Sequence, residues 1–157
     1  MRLTDILQPD CIKVPLASHD KQAAIFELAD LLCEHTPIED PDELKDAIWQ
    51  REMTRTTGIG HGIAIPHGKC DGVDKLRMAI GVIGSGVEGI DFGSIDKKPV
   101  DLIILLASPT DQTGPHIQAL AKISRMLTDA VIRRNLKDAP DAQTLYDLIS
   151  QHEKVTV

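Results

Sequence analysis

Cysteine is scarce in this 157-residue sequence: Cys11, Cys33 and Cys70 are the whole set. An odd number at wide spacing fits reduced thiols in a reducing cytosol better than a disulfide framework. No apolar run approaches the roughly 20 residues that cross a bilayer. The longest, Val100 to Ala107, is interrupted by Asp101. The opening Met1-Arg2-Leu3-Thr4-Asp5 lacks the apolar core of a signal peptide. A cytoplasmic protein without membrane insertion is therefore expected. Positive charge is in deficit, with 17 Lys and Arg against 24 Asp and Glu and a formal net charge of -7. Such a surface repels phosphate backbones at long range, which argues against general nucleic-acid binding. Internal repeats and low-complexity linkers are also missing, so the chain reads as one domain.

What is there suits an ordinary globule, 42% hydrophobic and 26% charged. A chain of this size buries about 68–70% of its unfolded surface and needs no metal or disulfide staple. Leu3 to Leu7 reads as a short helical turn and Cys11 to Leu16 as a short strand, with Pro15 at its boundary. Ser18 offers a helix N-cap, and the spacing of Ala23, Ala24, Leu28, Leu31 and Leu32 predicts a helix to about Glu34. A second helix starts at Asp40-Pro41-Asp42-Glu43, with Asp40 as cap and Glu43 reaching back, and runs to about Met53. Thr56 to Gly62 reads as loop and Ile63-Ala64-Ile65 as a short strand. Met78 to Ile83 is a further strand, with Gly84-Ser85-Gly86 predicting a hairpin turn into Val87 to Phe92. Val100 to Ala107 is the strongest strand, apolar enough to be buried on both faces. Helices are predicted over 115–127, 130–136 and 142–150, with Asp129 and Asp141 as caps. The tail 151–157 is expected to fray. The order suggests a sheet flanked by helices, with strand order open.

The chemistry concentrates in Gly58-Ile59-Gly60-His61-Gly62-Ile63-Ala64-Ile65-Pro66-His67-Gly68. Pro66 fixes a backbone angle and Gly68 permits a turn or a close approach. His67 is thereby held at a strand end with little bulk after it, as an exposed nucleophilic imidazole would be. The plainer alternative is a surface histidine in a turn. Arg51, late on the preceding helix, can fork onto phosphate oxygens, or be a solvated helix charge. His116 opens a helix after Asp111-Gln112-Thr113-Gly114-Pro115, where free N–H groups favour anions. It either supports a phosphoryl group or is a helix-cap residue. A zinc set of His61, His67, Cys70 and His116 lacks the paired spacing of structural sites, so no metal is expected. The glycines match neither G-x-G-x-x-G nor the P-loop pattern. Arg133-Arg134 reads as a solvated basic pair.

The run from Arg51-Glu52 through the I-A-I-P-H-G core resembles the enzyme IIA domain of the bacterial phosphoenolpyruvate-dependent phosphotransferase system. The likeness is to the fructose/mannitol class, and within it to the nitrogen-regulatory branch. It continues through Pro99-Val100-Asp101-Leu102, Asp111-Gln112-Thr113, His116 and Leu145-Tyr146-Asp147-Leu148-Ile149. It implies a type 2 IIA domain over residues 1–150, with 151–157 as a C-terminal tail. The implied fold is α/β, a single mixed β-sheet flanked by helices on both faces. His67 matches the histidine that takes a phosphoryl group from an HPr-type phosphocarrier. His116 matches the supporting histidine, and Arg51 the arginine that stabilises the phosphorylated state.

The resemblance thus implies a phosphotransferase component that forms a phosphohistidine and regulates partner proteins by its phosphorylation state, with no cofactor. One alternative is a sugar-transport IIA passing phosphate to a fructose or mannitol IIB domain. The other is a non-catalytic binding module that keeps the fold.

Overall fold

A computed structural model describes residues 1–155. A 3-10 turn at Leu3–Asp5 leads into β1 (Leu7–Lys13), α1 (Lys21–His35) and α2 (Pro41–Thr54). Four strands follow: β2 (Gly58–Gly60), β3 (Ile63–Ala64), β4 (His67–Lys69) and β5 (Arg77–Val82). Then come β6 (Leu102–Ser108), α3 (Thr113–Met126), α4 (Ala130–Asp138) and α5 (Ala142–Val155). The strands form one sheet in the order β1-β5-β6-β3-β2, with β4 also pairing with β6. β1 lies parallel to β5, and β3 and β4 lie parallel to β6, whereas β5–β6 and β2–β3 are antiparallel. The sheet is mixed, as expected.

Strand β6 is central and buried throughout. Its alternate residues point to opposite faces, as a pleat demands. Ile103, Leu105 and Ala107 pack with Ile25, Leu28 and Leu32 of α1 and Leu44 and Ile48 of α2. Leu102 and Ile104 pack with Ile123 and Met126 of α3, Leu136 of α4, and Leu145 and Ile149 of α5. Helices therefore cover both faces, which explains the continuous apolar run Leu102 to Ala107; the strand begins at Leu102 rather than Val100, because Asp101 is only half-buried and stays outside the ladder.

Several boundaries differ from the sequence reading. β1 begins at Leu7, not Cys11, and so contains Pro9. The proline is tolerated because β1 is an edge strand, and the ladder shifts register between Leu7 and Ile12. Asp20, not Ser18, caps α1 by accepting from the Ala23 N–H at 2.9 Å, while the Ser18 hydroxyl donates to Glu27. Gly58–Gly60 is a strand rather than loop. Val87 to Phe92 is not a strand, because β1 and β6 already occupy both edges of β5. Only Ile90 pairs there, with Val100. α5 is helical to Val155, so the expected fraying from Gln151 does not occur there, and the rest of that expectation, 156–157, lies outside the described residues.

Candidate active site

Pro66 divides what would be one strand into β3 and β4, because it has no N–H for the ladder. Its carbonyl still accepts from Leu106 N at 3.0 Å, and pairing with β6 resumes at His67 opposite Leu106. His67 thus begins a strand rather than ending one. Alternation sends His67 and Lys69 to one side and Gly68 to the other. At Gly68 the strand runs against α2, where a Cβ would lie 2.9 Å from both the backbone N and a side-chain carbon of Ile48. Glycine is needed for this close approach.

The His67 ring is half-buried. Its Nδ1 lies 2.9 Å from the carbonyl oxygen of Ile65, which can only accept, so Nδ1 carries the proton and donates. Nε2 keeps its lone pair. The ring lines a cleft of about 280 Å³ with Arg51, Thr56, Gly58, Ile65, Leu120 and Ser124. The exposed side chains of Ile59 and Ile95 stand at its mouth. The Arg51 guanidinium donates to the Arg55 carbonyl at 2.8 Å.

His116 is brought against His67, with ring centroids 5.4 Å apart and planes inclined by 57°. It is 4% exposed, in the first turn of α3. Its Nδ1 is 2.6 Å from the hydroxyl of Ser108, the last residue of β6. Burial pushes the His116 imidazole down to about 4, helped by His67 and Lys69. Burial likewise lowers His67 from its ordinary value, and the charges of Arg51 and Lys69 add to this. The Ile65 carbonyl and Glu52 oppose that shift. Both imidazoles are therefore neutral at pH 7. The second cation beside Arg51, Lys69, reaches Thr113 Oγ1 in the first turn of α3 at 3.2 Å.

Glu52 braces the loop that lines the cleft. It accepts from the Thr57 N–H at 2.8 Å and from the Thr57 hydroxyl, and it pairs with Lys21 at 2.8 Å. Its side chain has no exposed surface. The Thr56 hydroxyl donates to the Phe92 carbonyl at 2.6 Å, and Lys21 Nζ donates to the same carbonyl at 3.0 Å.

The structure thus gathers His67, His116 and Arg51 from α2, β4 and α3. His61 is not part of this group. It lies at the β2–β3 turn and lines a separate cleft with Lys98 and Arg134. Among the described residues no three His, Cys, Asp or Glu side chains group to hold a metal ion. Sequence reasoning missed Lys69, Ser108 and the bracing role of Glu52. The signals existed: Lys69 follows His67 by two in a strand, and Glu52 follows Leu44 and Ile48 at intervals of four on the buried side of α2. Ser108 lies one residue beyond the expected end of its strand.

Residues 5–152 match the family model described as "Phosphoenolpyruvate-dependent sugar phosphotransferase system, EIIA 2". A protein of Bradyrhizobium diazoefficiens called "Nitrogen regulatory protein" is 37% identical over 150 residues, covering 96% of this chain and 95% of that one. The "PTS system fructose-specific EIIABC component" of Bacillus subtilis is 33% identical over 154 residues. That match covers 98% of this chain but only 24% of the longer relative. Among solved structures, the nitrogen regulatory protein IIA-Ntr of Neisseria meningitidis superposes with a TM-score of 0.83 at 28% identity. The superposition covers 94% of this chain and 98% of that one.

Proposed function

Because the chain belongs to the EIIA 2 family of the phosphoenolpyruvate-dependent sugar phosphotransferase system, we propose that His67 is its phosphoryl acceptor. The observation that carries this reading is the tautomer: Nδ1–H is held by the Ile65 carbonyl at 2.9 Å, which leaves Nε2 as a free nucleophile beside Arg51. The donor is an HPr-type phosphocarrier bearing its own phosphohistidine. The Nε2 lone pair attacks phosphorus in line, and a new N–P bond forms as the donor's N–P bond breaks. The donor imidazole keeps the bonding pair. Arg51 shares the charge of the phosphoryl oxygens, for which a guanidinium fork is suited. Ser108 Oγ and His116 Nδ1 lie 2.6 Å apart; with the hydroxyl as donor, the ring proton of His116 sits on Nε2, where it can donate to the phosphoryl group. The exposed Ile59 and Ile95 at the cleft mouth suit a protein donor better than a small one.

The full-length likeness to nitrogen regulatory proteins supports a cytoplasmic regulator whose phosphorylation state is read by partner proteins. The fructose-specific relative supports a second reading, in which the phosphoryl group passes on to a IIB domain.

Incubation with phosphoenolpyruvate, enzyme I and HPr tests the assignment. Acid-labile label is expected on the wild-type chain and none on His67→Ala; label persisting on the variant would refute it. Transfer onward to a purified fructose or mannitol IIB domain would favour the transport reading.

A further inference from the structure

His61 is conspicuous because its backbone is left-handed, with φ 59°, between Gly60 at 96° and Gly62 at 75°. A non-glycine residue held there is strained, and such strain persists only where surroundings enforce it. Two contacts do so. The His61 N–H donates to Asp96 at 3.0 Å, and its carbonyl accepts from Lys137 Nζ. Lys137 also pairs with Asp101 at 3.0 Å, directly over Gly62, where a Cβ would lie 2.6–2.7 Å from both partners. The backbone of His61 is thus clamped on both sides while its side chain stays exposed.

The clamped β2–β3 turn forms one wall of a cleft of about 600 Å³, a size that accommodates a small ligand, and Lys137 ties that wall to α4. Lys98 stands on the same wall, and Arg133 and Arg134 come from α4 on the other. Four cations face two carboxylates, Asp101 and Asp138, and a third, Asp96, carries its charge beside Lys98, on a chain whose net charge is -7. Lys137 neutralises Asp101, and Arg133 is held by the Leu127 carbonyl at 2.7 Å. Neither Lys98 nor Arg134 makes a side-chain hydrogen bond or ion pair among the described residues. Pro99 and Ala130 supply apolar surface between the charges. This basic hollow lies at the start of β3, where Gly62 precedes His67 by five residues.

We propose that the cleft between the β2–β3 turn and α4 binds a small molecule carrying two or more linked phosphates, separately from the phosphoryl site. Arg134 forks onto one phosphate, Lys98 and His61 meet another from the opposite wall, and Pro99 and Ala130 receive whatever the phosphates are attached to. Linked phosphates are favoured over a single one because the unpaired cations stand on two walls.

Inorganic tripolyphosphate is the probe. Titrated into isotope-labelled full chain, it is expected to bind saturably and shift the amides of His61, Gly62, Lys98 and Arg134. Affinity should exceed that for orthophosphate at least tenfold and fall as salt rises. The double variant Lys98→Ala/Arg134→Ala replaces exposed side chains and should weaken binding at least tenfold with an unchanged amide spectrum elsewhere. Shifts confined to the surroundings of His67 and Arg51 would overturn the proposal. So would unaltered affinity in the double variant, or tighter binding of a poly-glutamate peptide than of tripolyphosphate. Tripolyphosphate binding and phosphotransfer from HPr are separate readouts, so each reading stands or falls alone.

Discussion

A histidine is a nucleophile only while one ring nitrogen has its lone pair. Burial, Arg51 and Lys69 all lower His67, so transfer should be level near neutrality and decline on the acid side of the ordinary histidine range. Lys69→Met removes one of these causes. The His67 titration, followed by NMR of its ring protons, should move to higher pH, and the acid decline of transfer should move with it. An unmoved titration would mean that Lys69 is screened by water. His116 makes a prediction about stability. In the unfolded chain it takes a proton near 6.5, but in the folded chain only near 4. The unfolded state therefore binds more protons between these values. This part of the stability is complete above pH 6.5 and is lost as pH falls toward 4. Between pH 7 and pH 5 the loss is about 2 kcal/mol. Urea unfolding of His116→Gln should show a correspondingly flatter pH dependence, and parallel curves would dispose of this account. The sequence singled out the two histidines and the arginine that the structure brings together, through local context and the family resemblance. It hid Lys69 and Ser108, because their parts depend on which strand face and which helix end they meet.

At the level of elements, β4 joins core to chemistry. Three residues suffice because His67, Gly68 and Lys69 pair with Leu106, Ala107 and Ser108, the end of the most buried strand. The other side of β4 rests on α2 through Gly68. Gly68→Ala would push a methyl group into the backbone N of Ile48, so that either α2 or β4 must shift. Overpacking of this kind costs about 2 kcal/mol. The urea midpoint should fall accordingly, and phosphotransfer should fall further than the folded fraction does, since a displaced β4 carries His67 with it. Transfer at wild-type rate would show that β4 can shift without moving the ring. Long periodic elements were legible in the sequence: α1, α2, α5 and β6 follow from apolar spacing, although α1 takes Asp20 rather than Ser18 as its cap and the ends of α5 and β6 shift. Short pairings were not. Whether Gly58–Gly60 or Val87 to Phe92 forms a strand depends on which sheet edges remain open, and that is a property of the assembled sheet.

For the whole molecule, the sheet separates two apolar layers, and the two ends of the chain meet on one of them. Leu3 and Ile149 share the layer covered by α3, α4 and α5. Glu153, beyond the point where the sequence suggested fraying, accepts from the backbone N–H groups of Leu3 and Thr4 and from the Thr4 hydroxyl. These bonds satisfy the entry to the Leu3–Asp5 turn, and they are charge-assisted on a partly buried carboxylate. Removing a charged acceptor from two such N–H groups costs about 2 kcal/mol. Glu153→Ala should therefore lower the urea midpoint, and the amides of Leu3 and Thr4 should exchange hydrogen faster, with those of β6 changing only as far as global stability does. Shortening the chain after Ser150 should reproduce both effects and add the loss of the last turn of α5. A tail that frays from Gln151 would instead leave midpoint and exchange as they are in the intact chain.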